Sequence, residues 1–217
     1  NLNHKYKTLD IPIIPTEDRM DLRGMPIMSI DPEGCKDIDD AFHYLEISKD
    51  HYQLGIHIAD VSHFIEENSE LDKKIQERLT SVYAPHKTVN MLPNIYSDNI
   101  CSLLPNQDRY AFSLLVDINS IGEMLDYQFK KTIIHSKEAL SYQEANRRID
   151  NRDKRLYPIY ELTQKIIGKQ EFIIDTNEES KRGRMVQIMM ILANKIAGEF
   201  IYKNAPKYSI LRTHVRE

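Results

Sequence analysis

Four aspartates, Asp31, Asp37, Asp39 and Asp40, fall within ten positions of the stretch MSIDPEGCKDIDDAF, residues 28–42. Two carboxylates about 4–5 Å apart repel by roughly 3–4 kcal/mol at an effective dielectric near 20. A whole domain has a stability margin of only about 5–15 kcal/mol. Either the four groups spread into solvent or a cation sits among them. A calcium EF-hand loop is excluded. Counted from Asp31, the position that must be Gly holds Lys36, and the position of the bidentate Glu holds Phe42. A solvated acidic turn accounts for Asp37 and in part for Asp39, but not for Asp39-Asp40 running straight into the apolar AFHYLEI. The competing reading is an oxygen-ligand site for Mg²⁺, which takes one or two carboxylates, keeps waters and completes its shell with substrate phosphate. Four nearby carboxylates could hold one ion directly and a second through phosphate, an arrangement suited to phosphodiester hydrolysis.

The remaining sequence must supply a scaffold for that loop. The chain has 217 residues, 41% hydrophobic and 29% charged, enough for a proper core in one large or two small domains. A net charge of −4 means that an anionic substrate would need a local basic surface or a bound cation. Cys35 and Cys101 lack CxxC spacing and read as free thiols of a reducing compartment rather than a disulfide or zinc site. The longest apolar runs fall short of the ~20 residues of a membrane span, and no signal peptide opens the chain. The expectation is an intracellular protein, cytoplasmic or nuclear, without a membrane partner.

Residues 1–24 are polar, carry two prolines and show no sustained period, so they read as a lead-in, with the domain proper over 25–217. MPIMSI is a strand ending in the turn Asp31-Pro32. Residues 41–47 and 52–61 flank a hairpin, with Tyr52, Leu54, Ile56 and Ile58 alternating as in a half-buried strand. A capping Ser and Leu71, Ile75 and Leu79 predict a helix over 69–83. Three prolines make 84–106 an ordered but irregular loop. A second hairpin spans 110–119 and 123–136. Helices follow at 141–149, 155–167 and 183–204, the last with Met185, Met189, Leu192, Ile196 and Phe200 on one core-facing side. Residues 175–183 read as a solvated loop. Strands first and helices after argue for an α+β fold, mostly an antiparallel sheet with packed helices.

RMDLRGMPIMSIDPEGCKDIDDAFHY, followed by LGIHIADVSHFI, TSVYAPHKTVNMLP, NICSLLPNQDRYAFS and IIHSKEALSYQEA, resembles the catalytic domain of the RNase II/RNase R (RNB) family, and most the eukaryotic exosome-type branch. These five motifs occur in the family's order from residue 19 to about 145, and a weaker match resumes in MILANKIAG and ILRTHVRE. The resemblance implies a processive 3′→5′ exoribonuclease. It places metal binding, by Mg²⁺ or its substitute Mn²⁺, on Asp31, Asp37, Asp39 and Asp40, with Asp39 most tied to the chemical step. It also puts Tyr83 beside the scissile phosphate, where it holds the RNA 3′ end. An aromatic ring there is a sensible stacking platform in its own right. Without the resemblance, Tyr83 reads equally as a helix-end core residue.

Other residues of these motifs read more plainly. His57 and His63 suit hydrogen-bonded structural roles, Asp60 a turn cap, and Lys36 charge compensation or a phosphate contact. Cys35 is assigned no chemistry. Arg109 could contact RNA backbone, with a surface ion pair as the default. The sequence departs from the family pattern in two places. It stops before an expected Ser-Pro-Ile-Arg-Arg-Tyr segment whose arginine clamps phosphate, and it lacks the flanking OB-type domains, so it is expected to be the larger N-terminal part of one catalytic domain. The stretch between SYQEA and MILAN is also short, and Gln187 and Ile188 stand where the family carries an acidic pair. The expected activity is magnesium-dependent hydrolysis of single-stranded RNA to 5′ nucleoside monophosphates, alone or within a larger RNA-degradation assembly. The alternative is a catalytically incomplete RNA-binding or scaffold subunit.

Overall fold

A computed structural model describes Lys5 and residues 18–84, 87–167 and 181–210. Strands β1 (Met20–Asp21), β2 (Met28–Asp31), β3 (Asp40–Ser48), β4 (His51–Ala59), β7 (Asp108–Ile118), β8 (Met124–His135) and β9 (Glu138–Ser141) form one seven-stranded sheet. Its order is β1-β8-β7-β4-β3-β2-β9. The four central pairings are antiparallel, while β1 on β8 and β9 on β2 are parallel. A separate small hairpin pairs β5 (Val82–Ala84) with β6 (Lys87–Val89). Helices α1 (Val61–Phe64) and α2 (Glu70–Arg78) precede it, and α3 (Tyr142–Asp150), α4 (Tyr157–Ile167) and α5 (Lys181–Asn204) follow the sheet. The expected α+β architecture is present.

Each sheet face buries its own core because side chains alternate along a strand. On one face Phe42, Leu54, Ile56, Leu114, Val116 and Ile118 meet α3, α4 and α5 through Ile149, Leu162, Ile166, Met189 and Leu192. On the other face Ile38, Ala41, Ala111, Leu115 and Ile134 are covered by Leu22, Ile27 and Leu103 from connecting segments. Leu22 is buried and β1 joins the sheet, so the expected lead-in is part of the domain from residue 19 onward. A two-residue strand is too short for any period to register in sequence. Residues 6–17 lie outside the described part, as do 168–180, which hold most of the expected solvated loop.

Helix ends follow local chemistry. The Ser69 hydroxyl accepts from Asp72 N and the Ser141 hydroxyl from Glu144 N, so both are N-caps. The helix expected to reach residue 83 stops at Arg78, because Leu79 takes a left-handed conformation (φ 64°) and points into solvent, 80% exposed. In α5, Met185, Met189, Leu192 and Ile196 are buried as the spacing predicts, but Phe200 is 42% exposed, because the helix runs past the body of the core it packs on. Arg184–Asn204, 21 residues, is long and apolar enough to cross a membrane by length and composition alone, contrary to the sequence expectation; here one side of it is core.

A buried polar seam crosses four strands. His43 Nδ1 lies 2.8 Å from His57 Nε2, His57 Nδ1 lies 2.7 Å from Ser113 Oγ, and Ser113 Oγ lies 2.7 Å from Thr132 Oγ1. Thr132 donates to the Ala111 carbonyl at 3.2 Å. That donation fixes the other hydrogens: Ser113 donates to Thr132, His57 to Ser113 and His43 to His57. His43 Nε2 is then an acceptor with no hydrogen bond of proper geometry, although the nearby Gln53 side chain works against the burial and favours the charged ring. Both imidazoles are neutral, since burial drives the His43 pKa down to about 4 and that of His57 well below its usual value. The His57 reading as a structural histidine therefore holds.

Gly55 stands opposite His43 in the register. A Cβ there would lie 2.1 Å from His43 Cε1, and the ring cannot retreat from its place in the seam. Gly55→Ala is expected to destabilise the fold by about 1–3 kcal/mol, read as a lower melting temperature. The unfolded chain takes up the His43 proton near pH 6.5, the folded chain only near pH 4. The unfolded state thus binds more protons between these values, and the stability of the neutral seam is lost as pH falls. Denaturant titrations should show the wild type losing about 2 kcal/mol relative to His43→Gln between pH 7 and pH 5.

Candidate active site at the aspartate loop

The four aspartates gather where β2 ends and β3 begins. Asp31 is the last residue of β2 and Asp40 the first of β3, and the two strands are antiparallel neighbours. Asp37 and Asp39 lie on the loop between them, which reverses through Gly34 at φ +78°. Backbone bonds hold this loop. Ala59 N donates to Asp39 O at 2.9 Å and Leu103 N to Ile38 O at 2.8 Å. Ile38, 2% exposed, plugs the loop into the core. The buried Ser102 hydroxyl accepts from Ile38 N at 2.9 Å and donates to Lys36 O at 2.7 Å. On the other side, β9 pairs Ser141 with Asp31, so Tyr142 and the start of α3 border the site.

The electrostatics are those of unneutralised charge. Burial, then the charges of Asp31 and Asp39, push the Asp40 pKa up to about 6. Burial raises that of Asp31, with smaller additions from Asp39 and Asp37. Asp39 faces solvent on one side, yet the protein packed behind it, followed by the charge of Asp37, raises its pKa too. Asp31 Oδ2 is buried with no hydrogen-bond partner of proper geometry; neighbouring Ser29 opposes the burial by favouring the charged form, but its hydroxyl makes no hydrogen bond of proper geometry either. Among the described residues, no three acidic, His or Cys side chains converge closely enough to enclose a cation as they stand. Cys35 Sγ donates to Asp37 Oδ1 at 3.3 Å, and burial drives its thiol up to about 11, which keeps it protonated and unreactive.

Tyr83 occupies the middle of β5, opposite Thr88, and its side chain lies outside the described part. The hairpin itself was unexpected: Val82 and Tyr83 of β5 fall within the helix predicted over 69–83, and Ala84 and β6 within the irregular loop over 84–106.

Arg109 differs from its reading as an RNA contact or surface ion pair. It is 7% exposed and its guanidinium faces inward. Nε donates to Ser102 O at 2.8 Å, Nη1 to Asp108 O at 2.9 Å, and Nη2 to Asn99 Oδ1 at 3.3 Å and to Gln107. All three nitrogens serve the segment that, through Ser102, holds the aspartate loop. Asp60 likewise does more than cap a turn: its carboxylate meets Arg19 Nη2 at 2.6 Å and the Ser62 hydroxyl at 2.9 Å. Burial pushes that carboxyl up, but the bonds from Arg19 and Ser62 outweigh it and leave the pKa below its usual value. Arg19 also stacks over Tyr110, 4.1 Å from its centroid, and His63 packs edge-on against the same ring. Sequence reasoning missed Ser102 and Arg19, which carry no motif chemistry and matter only through what they hold.

Arg109→Ala should lower stability by about 2 kcal/mol or more, since it strands buried carbonyls. Chemical denaturation of the variant should show this loss. A full-strength fold with weakened RNA binding would instead restore the surface role.

The chain is 35% identical over 227 residues to mouse exosome complex exonuclease RRP44, covering 91% of this chain and 24% of that protein. It is 37% identical over 168 residues to ribonuclease R of Chlamydia trachomatis, covering 77% of this chain and 24% of the relative. The chain thus spans about a quarter of the length of these curated relatives. Among solved structures, Mycoplasma genitalium RNase R in complex with ribose-methylated single-stranded RNA superposes with a TM-score of 0.84 at 24% identity, over 94% of this chain and 37% of that one. Yeast Ssd1, described as a pseudonuclease, superposes at 0.76 and 19% identity, over 87% of this chain and 26% of that one; at such identities the likeness is one of fold. The RNB domain family matches residues 19–217, nearly the whole described sheet and its helices, and the chain belongs to that family.

Proposed function

We propose that this chain is the catalytic portion of a 3′→5′ exoribonuclease that hydrolyses single-stranded RNA to 5′ nucleoside monophosphates with Mg²⁺, or Mn²⁺ in its place. The observation that carries this reading is the unneutralised aspartate loop: a buried, unpartnered Asp31 oxygen beside Asp40 with its pKa raised to about 6. A bound cation would satisfy carboxylates held in that state, and a set of oxygen donors suits a hard divalent ion such as magnesium. Asp31 and Asp40, anchored at strand ends, would hold the ion, with Asp37 and Asp39 completing its surroundings. When bound, the metal supplies charge neutralisation at the scissile phosphate and a lowered pKa for water. The chain's own residues orient and exclude. Ser102, bonded to Ile38 N and Lys36 O, and Ala59 N, bonded to Asp39 O, fix the backbone that carries the Asp39 carboxylate toward the reacting end. Tyr83, on the β5–β6 hairpin, stacks on a terminal base.

The relatives named exosome complex exonuclease and ribonuclease R support this activity, RNA as partner and a larger degradation assembly within the cell. The second reading is a scaffold that keeps the fold without the chemistry. Its support is the superposition on Ssd1, which shows that this architecture also occurs in a protein described as a pseudonuclease.

Incubation of a 5′-labelled single-stranded RNA with the chain and Mg²⁺ should give a ladder shortening from the 3′ end. EDTA and Asp39→Asn should each abolish it, the variant by about a hundredfold or more. An intact RNA, together with a melting temperature indifferent to Mg²⁺, would establish the scaffold instead.

A further inference from the structure

The helical layer stops one row short of the aspartates. Successive rows on the helix-covered face of the sheet can be read from the register. Phe42, Ile56, Leu114 and Phe129 form one row, of which Phe42, Ile56 and Leu114 are buried under the helices. Two residues along each strand, toward the site, lies the row Asp40–Ile58–Phe112–Lys131. Alternation puts these four side chains on the same face. This row is open: Ile58 is 40% and Phe112 44% exposed, and Lys131 faces solvent. Phe112 stacks on Phe129 with centroids 5.7 Å apart and planes 15° from parallel, and Phe200 backs Phe129 at 5.2 Å. The ring of Phe112 is therefore held at a fixed angle while part of its surface stays free.

We propose that single-stranded RNA lies along this row as it reaches the aspartates, with a base on the Phe112 ring, an apolar edge on Ile58 and a backbone phosphate at Lys131. The proposal rests on the exoribonuclease reading and gives it a second substrate contact, independent of Tyr83. Three features choose RNA over a protein. The row is continuous with the aspartate loop through Asp40, so a strand lying on it arrives at the carboxylates. Its ends are charged with opposite sign, and a peptide covering them would have to bury both; a polyanion instead brings phosphate to Lys131 and, through a cation, to Asp40. Finally, Ile58 and Phe112, with Phe200 behind Phe129, expose apolar surface well short of the roughly 800 Å² per partner of a stable protein interface. They are enough for bases, because an aromatic contact is worth about 1–3 kcal/mol per base. Neighbouring strands lie about 4.8 Å apart, so the three steps from Asp40 to Lys131 span about 14 Å, room for a few nucleotides.

The chain contains no tryptophan, so Phe112→Trp places a single indole fluorophore in the row. The test uses this variant in an Asp39→Asn background, with Mg²⁺, so that a short single-stranded RNA binds without being cut. Saturable quenching of the indole emission is expected, together with about tenfold weaker RNA binding by Phe112→Ala and by Lys131→Glu in fluorescence anisotropy. RNA binding by the parent that neither quenches the reporter nor weakens in the two variants overturns the proposal and leaves the exoribonuclease reading standing. Blue-shifted emission before RNA is added, unchanged afterwards, also overturns it, because protein then covers the row. A parent that neither binds nor degrades RNA removes both readings.

Discussion

Holding four acidic side chains at one end of a sheet, with no basic side chain among them in the described residues, is the constraint around which this domain is built. The solution is to fix backbone rather than carboxylates. Two aspartates terminate strands, where the ladder sets their positions. The other two ride on a loop whose amides and carbonyls are taken by Ala59, Leu103 and Ser102. Ser102 in turn is held by Arg109, whose three nitrogens are all engaged inside the protein. Burial, with the neighbouring carboxylates, raises the pKa values of Asp31, Asp39 and Asp40; the protein supplies rigidity and leaves the site suited to an added cation.

The sheet that carries this loop is unusual in its interior. Polar groups in a low-dielectric core are stabilising only when satisfied, and the His43–His57–Ser113–Thr132 seam meets that condition along all but its first atom. It ties four strands together perpendicular to their run, and it requires Gly55 where His43 lies across the neighbouring strand. A second polar tie, the buried Arg19–Asp60 pair under Tyr110, anchors the first strand beside α1. Removing one partner of such a pair leaves an uncompensated buried charge, so it binds the segment at residue 19 to the domain more firmly than its two-residue strand could.

The division of the sheet into a covered part and an open margin follows from helix placement. Three helices bury the rows far from the aspartates, and α5 overshoots the core so that Phe200 reaches Phe129 rather than the interior. The margin that remains is the margin next to Asp40. The rows under the helices stabilise the fold, while the partly exposed Ile58 and Phe112 lie on the margin beside Asp40, next to the candidate site.

Much of this was determined by local sequence. The two long hairpins, the Ser69 cap and the burial of Met185, Met189, Leu192 and Ile196 in α5 depend on patterns within a few residues of one another, and each formed as read. Membership of the RNB family was likewise legible, because its motifs are contiguous in the chain. What only the tertiary structure decided were contacts between residues far apart in sequence. Strands of two to four residues such as β1, β5, β6 and β9 show no period and exist because a partner strand completes them. Arg109 reads as a surface cation until Ser102 and Asn99 close around it. Phe200 fits the apolar stripe of its helix, but the extent of the core beneath it cannot be inferred from that stripe. Pairing, burial and the reach of one element over another are set by the whole chain, so no stretch of sequence carries them alone.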